Sequence, residues 1–364
     1  MDGDLSWLVP DIVAAYYPAA AKPLALTLGW LKTRLPPMSE TQTIAIVSDI
    51  HYASQAEKDR RRHETRIIPN PALRVLVKAF RRYFWLRDPF AHNALLDVFI
   101  SKAAVADLVV ANGDYSCDTA FVGVSDEPAC ESAMLCLGKL RHQFSNRLAV
   151  TIGDHELGKM SLFGGLGGMR LASWRRTCNE LAIKPFWRLE LGRYVLMGVT
   201  SSLVALPIFA PETLPDERPE WERLRADHMA DISLAFASLA PDQKVLLFCH
   251  DPSALPFLWR EASVRDKLPQ VETTIIGHLH TGAILWKSRV LAGMPVLTFL
   301  GNSIRRMSSA LNEARHWKPF NVRLCPSLAG SELLKDGGYY TVALDAKAYQ
   351  PARFQFQPLA RTKP

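Results

Sequence analysis

Five times along this chain a short apolar run stops at aspartate, histidine or both. Residues 43–47 lead into Asp49-Ile50-His51, and 108–110 into Gly113-Asp114. Residues 148–152 lead into Gly153-Asp154-His155-Glu156, 245–249 into His250, and 273–276 into Gly277-His278-Leu279-His280. Runs this short, rich in Val, Ile and Leu, fit buried strands. Side chains alternate along a strand with period two, so Asp49 and His51 are expected to point the same way. In α/β sheets the carboxyl ends of strands face one crevice, where segments distant in sequence converge. A single histidine is ordinarily a satisfied core or surface residue. Here five of the ten histidines follow strands in this way, which points to one polar site built from five segments.

The rest of the chain sets the frame. At 364 residues, 48% hydrophobic and 22% charged, it is long enough for one large or two smaller globular domains. Helical spacing is expected over 93–106 and 129–143. Further strands are expected near 194–200, 272–276, 295–299 and 339–343. The alternation predicts an α/β or α+β fold. Residues 1–40 read as an amino-terminal arm closed by Pro36-Pro37, and 41–364 as the main domain with an insertion at 54–92. The Pro- and acid-rich segment 203–226 reads as a surface loop. The six cysteines show no Cys-x-x-Cys pair or zinc spacing and read as buried, reduced thiols. The opening Met1-Asp2-Gly3-Asp4 has no basic leader, and Pro18, Lys22 and Pro23 interrupt the apolar stretch 12–31. Neither a standard signal peptide nor a spanning helix is expected there.

Carboxylates and imidazoles converging on one crevice suit a pair of divalent cations, manganese, iron or zinc. Two such ions about 3.5–4 Å apart need a bridging carboxylate and further ligands on each. They clamp a phosphoryl oxygen and lower the pKa of a bound water, and the resulting hydroxide attacks phosphorus in line.

The ordered set Asp-x-His, Gly-Asp, Gly-Asp-His-Glu, a lone His and Gly-His-x-His, across residues 49–280, resembles the calcineurin-like metallophosphoesterase superfamily, whose third motif runs Gly-Asn-His-(Asp/Glu). That resemblance implies a four-layer fold in which helices flank a central β-sandwich. It implies that Asp49, His51 and His280 hold one metal, that Asp154, His250 and His278 hold the other, and that Asp114 bridges. His155 would be a transition-state hydrogen-bond donor or general acid, supported by Glu156. Such proteins usually carry Asn where this chain has Asp154. Asp adds a negative charge and loses the amide donor. The Gly164–Gly168 segment lacks the Gly-Lys-Ser/Thr of a phosphate loop and reads as a loop near the site or a plain connector. Asn112 and Asn302 read as structural.

The insertion bears on substrate. Residues 58–87 hold ten Lys and Arg against Asp59 and Glu64, a net +8, while the whole chain is +7. On a helix, Leu73, Leu76, Val77, Phe80, Tyr83 and Phe84 share one face, and Arg74, Lys78, Arg81 and Arg82 fall on another. Such a stretch suits an anionic membrane surface. It also suits a nucleic acid, or a helix packed on the core with a solvated face. Its apolar weight favours lipid over nucleic acid. The insertion is similar in character to that of the UDP-2,3-diacylglucosamine diphosphatases of lipid A synthesis. The expected substrate is therefore an amphiphilic nucleotide-sugar pyrophosphate, met by a cytoplasmic protein peripheral to the inner membrane face. The rivals are a soluble phosphodiesterase and a non-catalytic scaffold. Filled ligand positions speak against the scaffold.

Overall fold

The computed structural model describes residues 33–34, 41–60, 63–162 and 165–359. The expected arm at 1–40 lies outside these except for Thr33–Arg34. So do Arg61 and Arg62 of the insertion and Gly164 of the glycine-rich segment.

Eleven strands form two mixed sheets among the described residues. One has the order β1 (Thr33–Arg34), β5 (Phe186–Leu191), β6 (Tyr194–Val199), β7 (Lys244–Cys249), β8 (Val271–Ile276), β9 (Val322–Leu324). The other has the order β11 (Arg353–Pro358), β10 (Gly338–Asp345), β2 (Thr41–Val47), β3 (Leu108–Asn112), β4 (Leu148–Thr151). In the second sheet β2, β3 and β4 run parallel, and in the first β6, β7, β8 and β9 do. Alternate residues on each strand feed two cores. Ile44, Ile46, Val110, Leu196, Leu246, Phe248 and Val342 meet in a cluster drawn from both sheets, the filling of a sandwich. Ala45, Val47, Val109, Met197, Leu247 and Cys249 face outward into a second cluster with the helices. Strands buried on both faces read as unbroken apolar runs, which is why they were legible in sequence.

Seven helices exceed eight residues among the described residues: α1 (Pro71–Tyr83), α2 (Asn93–Ala103), α3 (Glu127–Phe144), α4 (Leu171–Asn179), α5 (Arg218–Ala237), α6 (Gly282–Val290) and α7 (Asn302–Asn312). α2 and α3 fall where the spacing predicts them. α3 starts at Asp126, whose carboxylate accepts the Ala129 N–H, and it buries Cys130, Ala133, Leu137 and Leu140. Four cysteines, 130, 136, 249 and 325, are buried, and all six are free.

Two expectations fail. Segment 203–226 is not a surface loop. It contains short helices that bury Leu203, Val204, Leu206 and Phe209, then enters α5, which buries Trp221. Its prolines sit in the first turns of helical segments, where no amide is needed. Residues 295–299 form no strand. Pro295 removes a donor, Val296 and Phe299 are exposed, and the Leu297 amide is taken by the Ser308 hydroxyl rather than by a ladder.

The fold also buries an imidazole that belongs to none of the strand-end motifs. His228 on α5 accepts the Thr200 N–H at Nε2, 3.1 Å away. Burial lowers its pKa to about 3. The unfolded chain takes this proton near pH 6.5, well before the folded one does. The contribution of His228 to stability is therefore complete above about pH 6.5 and is lost progressively as pH falls toward about 3. Urea unfolding between pH 7 and 4 is expected to show the slope of stability against pH falling by about one proton in His228→Asn. Equal slopes would remove His228 from the acid response.

Candidate metal centre

The site begins at the backbone. β2 ends at Val47, and the residues after it leave the extended region: Asp49 has φ 51° and His51 has φ 49°. Asp114 (φ 61°) and His280 (φ 60°) are also left-handed. The expectation that strand alternation aims Asp49 and His51 is therefore corrected. Tight left-handed turns beyond the strand end do it. For residues with a Cβ this conformation costs roughly 1–2 kcal/mol each, and it persists where surrounding contacts over-determine it. Those contacts are present. Asp49 N–H donates to Gly113 O (3.1 Å) and His51 N–H to Asp114 O (3.0 Å), tying the turn after β2 to the turn after β3. Gly277 N–H donates to His250 O (2.9 Å), joining the ends of β8 and β7. Gly277 also has to be bare, because a Cβ there would strike Ser48 Oγ and Asp49 Oδ2.

All seven residues expected as ligands come together. Asp49, His51, Asp114 and His280 form one group of donors, and Asp114, Asp154, His250 and His278 another, each with donor atoms within 4.8 Å of one another. Asp114 belongs to both. Three motifs come from adjacent strands of one sheet and two from adjacent strands of the other.

The donor set fits a cation pair on its own geometry. His280 Nε2 lies 3.1 Å from Asp49 Oδ1, and His250 Nε2 lies 3.1 Å from Asp114 Oδ2. Both carboxylate oxygens are nevertheless buried without an aligned hydrogen bond. His51 Nε2 stands 3.4 Å from His280 Nε2. Donor atoms of two carboxylates and three imidazoles crowded this closely suit a common cation. Unmet, such buried atoms carry a desolvation penalty.

Surrounding groups set the tautomers. His51 Nδ1 donates to Ser116 O (3.2 Å) and His250 Nδ1 to Asn112 O (2.6 Å), which leaves both Nε2 atoms turned toward the centre. Ser48 Oγ donates to Asp49 Oδ2 (2.6 Å), leaving Oδ1 for the centre. Burial, with His155 and His280 nearby, lowers the His51 pKa to about 3, so its imidazole is neutral at pH 7. Burial disfavours charge on Asp49 as well, but His280 and His250 outweigh it and lower its pKa. For His250, burial is outweighed by Asp114 and Asp49, which raise its pKa.

His155 stands at the edge. Its Nδ1 donates to Ser116 O (3.2 Å), and its Nε2 lies 3.8 Å from Asp114 Oδ2. Glu156 does not support the His155 imidazole as expected. Its carboxylate accepts backbone N–H groups from Asp114 (3.1 Å), Tyr115 (2.8 Å) and Gly153 (2.8 Å). It therefore holds the turn that carries Asp114. Burial, followed by the Asp114 charge, raises its pKa to about 8.

The basic insertion reaches this centre. α1 is capped by Asn70, whose side chain accepts the Ala72 and Leu73 N–H groups, with Pro71 in the first turn. Its apolar face is not packed on a core. Leu76 is 64%, Phe80 50% and Tyr83 61% exposed, and among α1 residues only Val77 is buried. Arg74 does not join a free basic face, since its guanidinium donates to Ile68 O. Lys78 and Arg82 are exposed and Arg81 is half-buried. Just beyond α1, the Trp85 ring lies 5.1 Å from that of His280. Sequence reasoning passed over Trp85 inside an aromatic run, and passed over Lys159, whose ammonium pairs with Asp154 Oδ2. Among the described residues no helix is long and apolar enough to cross a membrane.

Known proteins can now be set beside this geometry. A comparison with curated proteins found no match. Among solved structures the chain is similar to a dimetal phosphatase from Danio rerio (12% identity, 86% of this chain and 95% of that one, TM-score 0.45). It is also similar to the phosphopantetheinyl hydrolase PptH from Mycobacterium tuberculosis (15% identity, 65% and 83%, TM-score 0.32). A third is a predicted phosphoesterase from Streptococcus pneumoniae TIGR4 (11% identity, 88% and 100%, TM-score 0.25). The family description "Calcineurin-like phosphoesterase" matches residues 42–282, a span that takes in all five motifs. The chain belongs to the calcineurin-like phosphoesterase family, and is a metal-dependent phosphoesterase.

Proposed function

We propose that the chain hydrolyses an amphiphilic phosphoric ester or pyrophosphate at an anionic membrane face. Asp49, His51 and His280 would hold one divalent cation, and Asp154, His250 and His278 the other, with Asp114 shared. The observation that carries the hydrolytic reading is the donor set around Asp114, with three buried carboxylate oxygens, of Asp49, Asp114 and Asp154, that no aligned hydrogen bond satisfies. Bound divalent cations supply Lewis acidity toward a phosphoryl oxygen and a water nucleophile, and carboxylate with imidazole suits manganese, iron or zinc. The chain supplies the rest. Ser116 O and Asn112 O fix the imidazoles, Glu156 holds the Asp114 turn, and His155 presents Nε2 toward the reacting phosphate as donor or general acid. A scaffold role is disfavoured because every donor position is filled by a competent residue.

The amphiphile is supported by the exposed apolar face of α1, interleaved with Lys78 and Arg82. Exposed Leu333 and Leu334 adjoin it, since the Leu333 N–H donates to Phe84 O. Trp85 brings this surface to the edge of the metal centre. UDP-2,3-diacylglucosamine is the leading candidate, cleaved to UMP and an acylated sugar phosphate.

The test pairs that lipid with a soluble aryl phosphodiester and reads UMP and phenolate release by chromatography. Wild type is expected to cleave the lipid, and to sediment with anionic vesicles in a way that weakens with salt. The variant with Leu76, Phe80 and Phe84 changed to Ser, and Lys78 and Arg82 to Glu, is expected to lose both while keeping the aryl activity. Cleavage of the aryl ester with an inert lipid would discard the substrate and keep the enzyme.

A further inference from the structure

Asp154 is fully buried, and its two oxygens have different surroundings. Oδ1 lies 2.8 Å from His278 Nδ1 and 3.1 Å from His250 Nε2, inside the donor set. Oδ2 meets the Lys159 ammonium as an ion pair. Lys159 reaches that position by a short, defined path. The Gly158 N–H donates to Asp154 O, Gly158 turns with φ 94°, and Lys159 follows.

The segment after Lys159 is held from outside. Met160 N–H donates to Glu212 (3.0 Å), Ser161 O accepts from the Ser303 hydroxyl (2.7 Å), and Arg306 pairs with the same buried Glu212. The ammonium is therefore placed by the fold, not by a loose side chain. The Lys159 side chain is 23% exposed, as is that of His278, whereas the side chains of Asp49, Asp114 and Asp154 are closed off.

An ammonium has three N–H donors. Its ion pair with Asp154 Oδ2 occupies at most one of them, which leaves two for an incoming oxyanion. An anionic phosphoryl group approaching this centre meets three buried carboxylates, Asp49, Asp114 and Asp154. A fixed cation next to one oxygen of that set offsets part of the repulsion.

We propose that Lys159 is a phosphate-binding residue of this site, offsetting the charge of Asp154 and donating N–H to a non-bridging phosphoryl oxygen. The inference rests on the reading of the centre as a dimetal phosphoesterase site. Together, Asp154 and Lys159 offer one oxygen to the cation and N–H groups to the substrate, the two functions of a side-chain amide.

The experiment uses the full chain loaded with manganese, in wild type, Lys159→Met, Lys159→Arg, Asp154→Asn and the double variant Asp154→Asn/Lys159→Met. Three readouts are taken: metals bound per chain, calorimetric affinity for inorganic phosphate, and kcat and KM on an aryl phosphodiester. Lys159→Met is expected to keep its metals, to bind phosphate about 10- to 100-fold more weakly, as loss of a charged hydrogen bond implies, and to raise KM. Lys159→Arg is expected to stay near wild type. The double variant is expected to recover much of what Lys159→Met loses, because the amide removes the uncompensated charge and restores the missing donor.

Phosphate affinity and KM in Lys159→Met within twofold of wild type, with metals bound, would overturn the proposal. So would loss of metal in Lys159→Met, which would make the lysine a prop for Asp154. A wild type that binds no metal and cleaves no phosphoester would fail earlier, at the reading of the centre itself.

Discussion

Asp114→Asn is expected to lower kcat by about three orders of magnitude, since losing the shared carboxylate forfeits several kcal/mol of Lewis-acid stabilisation. The amide nearly preserves shape, so the effect reads charge and donor capacity. Asp114 is the one residue common to both donor groups. Its Oδ1 also accepts the His155 N–H at 3.0 Å, which an amide oxygen can still do. The backbone turn held by Glu156 is therefore expected to survive. Folding without metal is expected to be no worse than in wild type, because one of three crowded carboxylates has been neutralised. With metal the order reverses. A cation that binds only the folded state raises stability in proportion to its affinity, so the manganese-induced rise in melting temperature is expected to shrink in the variant. Metal content per chain and thermal unfolding with and without manganese check this. Two bound metals with kcat within tenfold of wild type would remove Asp114 from the bridging position.

His155→Ala is expected to lower kcat by about 10²- to 10⁴-fold, the range for a positioned proton donor, while both metals remain bound. His155 belongs to neither donor group, so its loss leaves the ligand count intact. Its Nδ1–H is given to Ser116 O, so Nε2 donates only when the ring is cationic. Burial lowers the pKa of this imidazole, against the Asp114 charge, and a bound phosphate acts in the opposite direction. Two substrates separate its two assigned roles. A general acid matters most for a poor leaving group, so an alkyl ester would suffer far more than a nitrophenyl ester. A donor to the phosphoryl oxygen would cost both alike. Unchanged turnover of both esters with full metal content would leave His155 without either role.

The parts of this protein that were legible in the sequence are local. Apolar runs at 43–47, 108–110 and 244–249 are strands because both of their faces are buried, leaving no polar alternation to obscure them. The ligand types at their ends were legible for the same reason: Asp, His and Gly in fixed order after a buried strand have few other uses. Strands β1, β5, β9 and β11 were not foreseen. β11 is largely exposed, with alternating Gln and Phe, and its pairing with β10 supplies what its composition does not. Segment 203–226 looked like a loop because proline and acid counts ignore which residues face inward. Trp221 and Phe209 decide that, once the sheet gives them somewhere to pack.

The sequence by itself determined which Asp and His residues could serve as donors, their order and the metal-dependent class of chemistry, because a ligand atom is a property of a residue type. Only the tertiary structure decided how those donors meet. Left-handed turns, not strand alternation, aim Asp49, His51, Asp114 and His280, and such turns are held by hydrogen bonds between strand ends distant in sequence. Only the fold sets Lys159 against Asp154 and Trp85 against His280. The first contact spans a sharp glycine turn and the second almost two hundred residues, and no periodicity in a chain encodes where two such segments will touch.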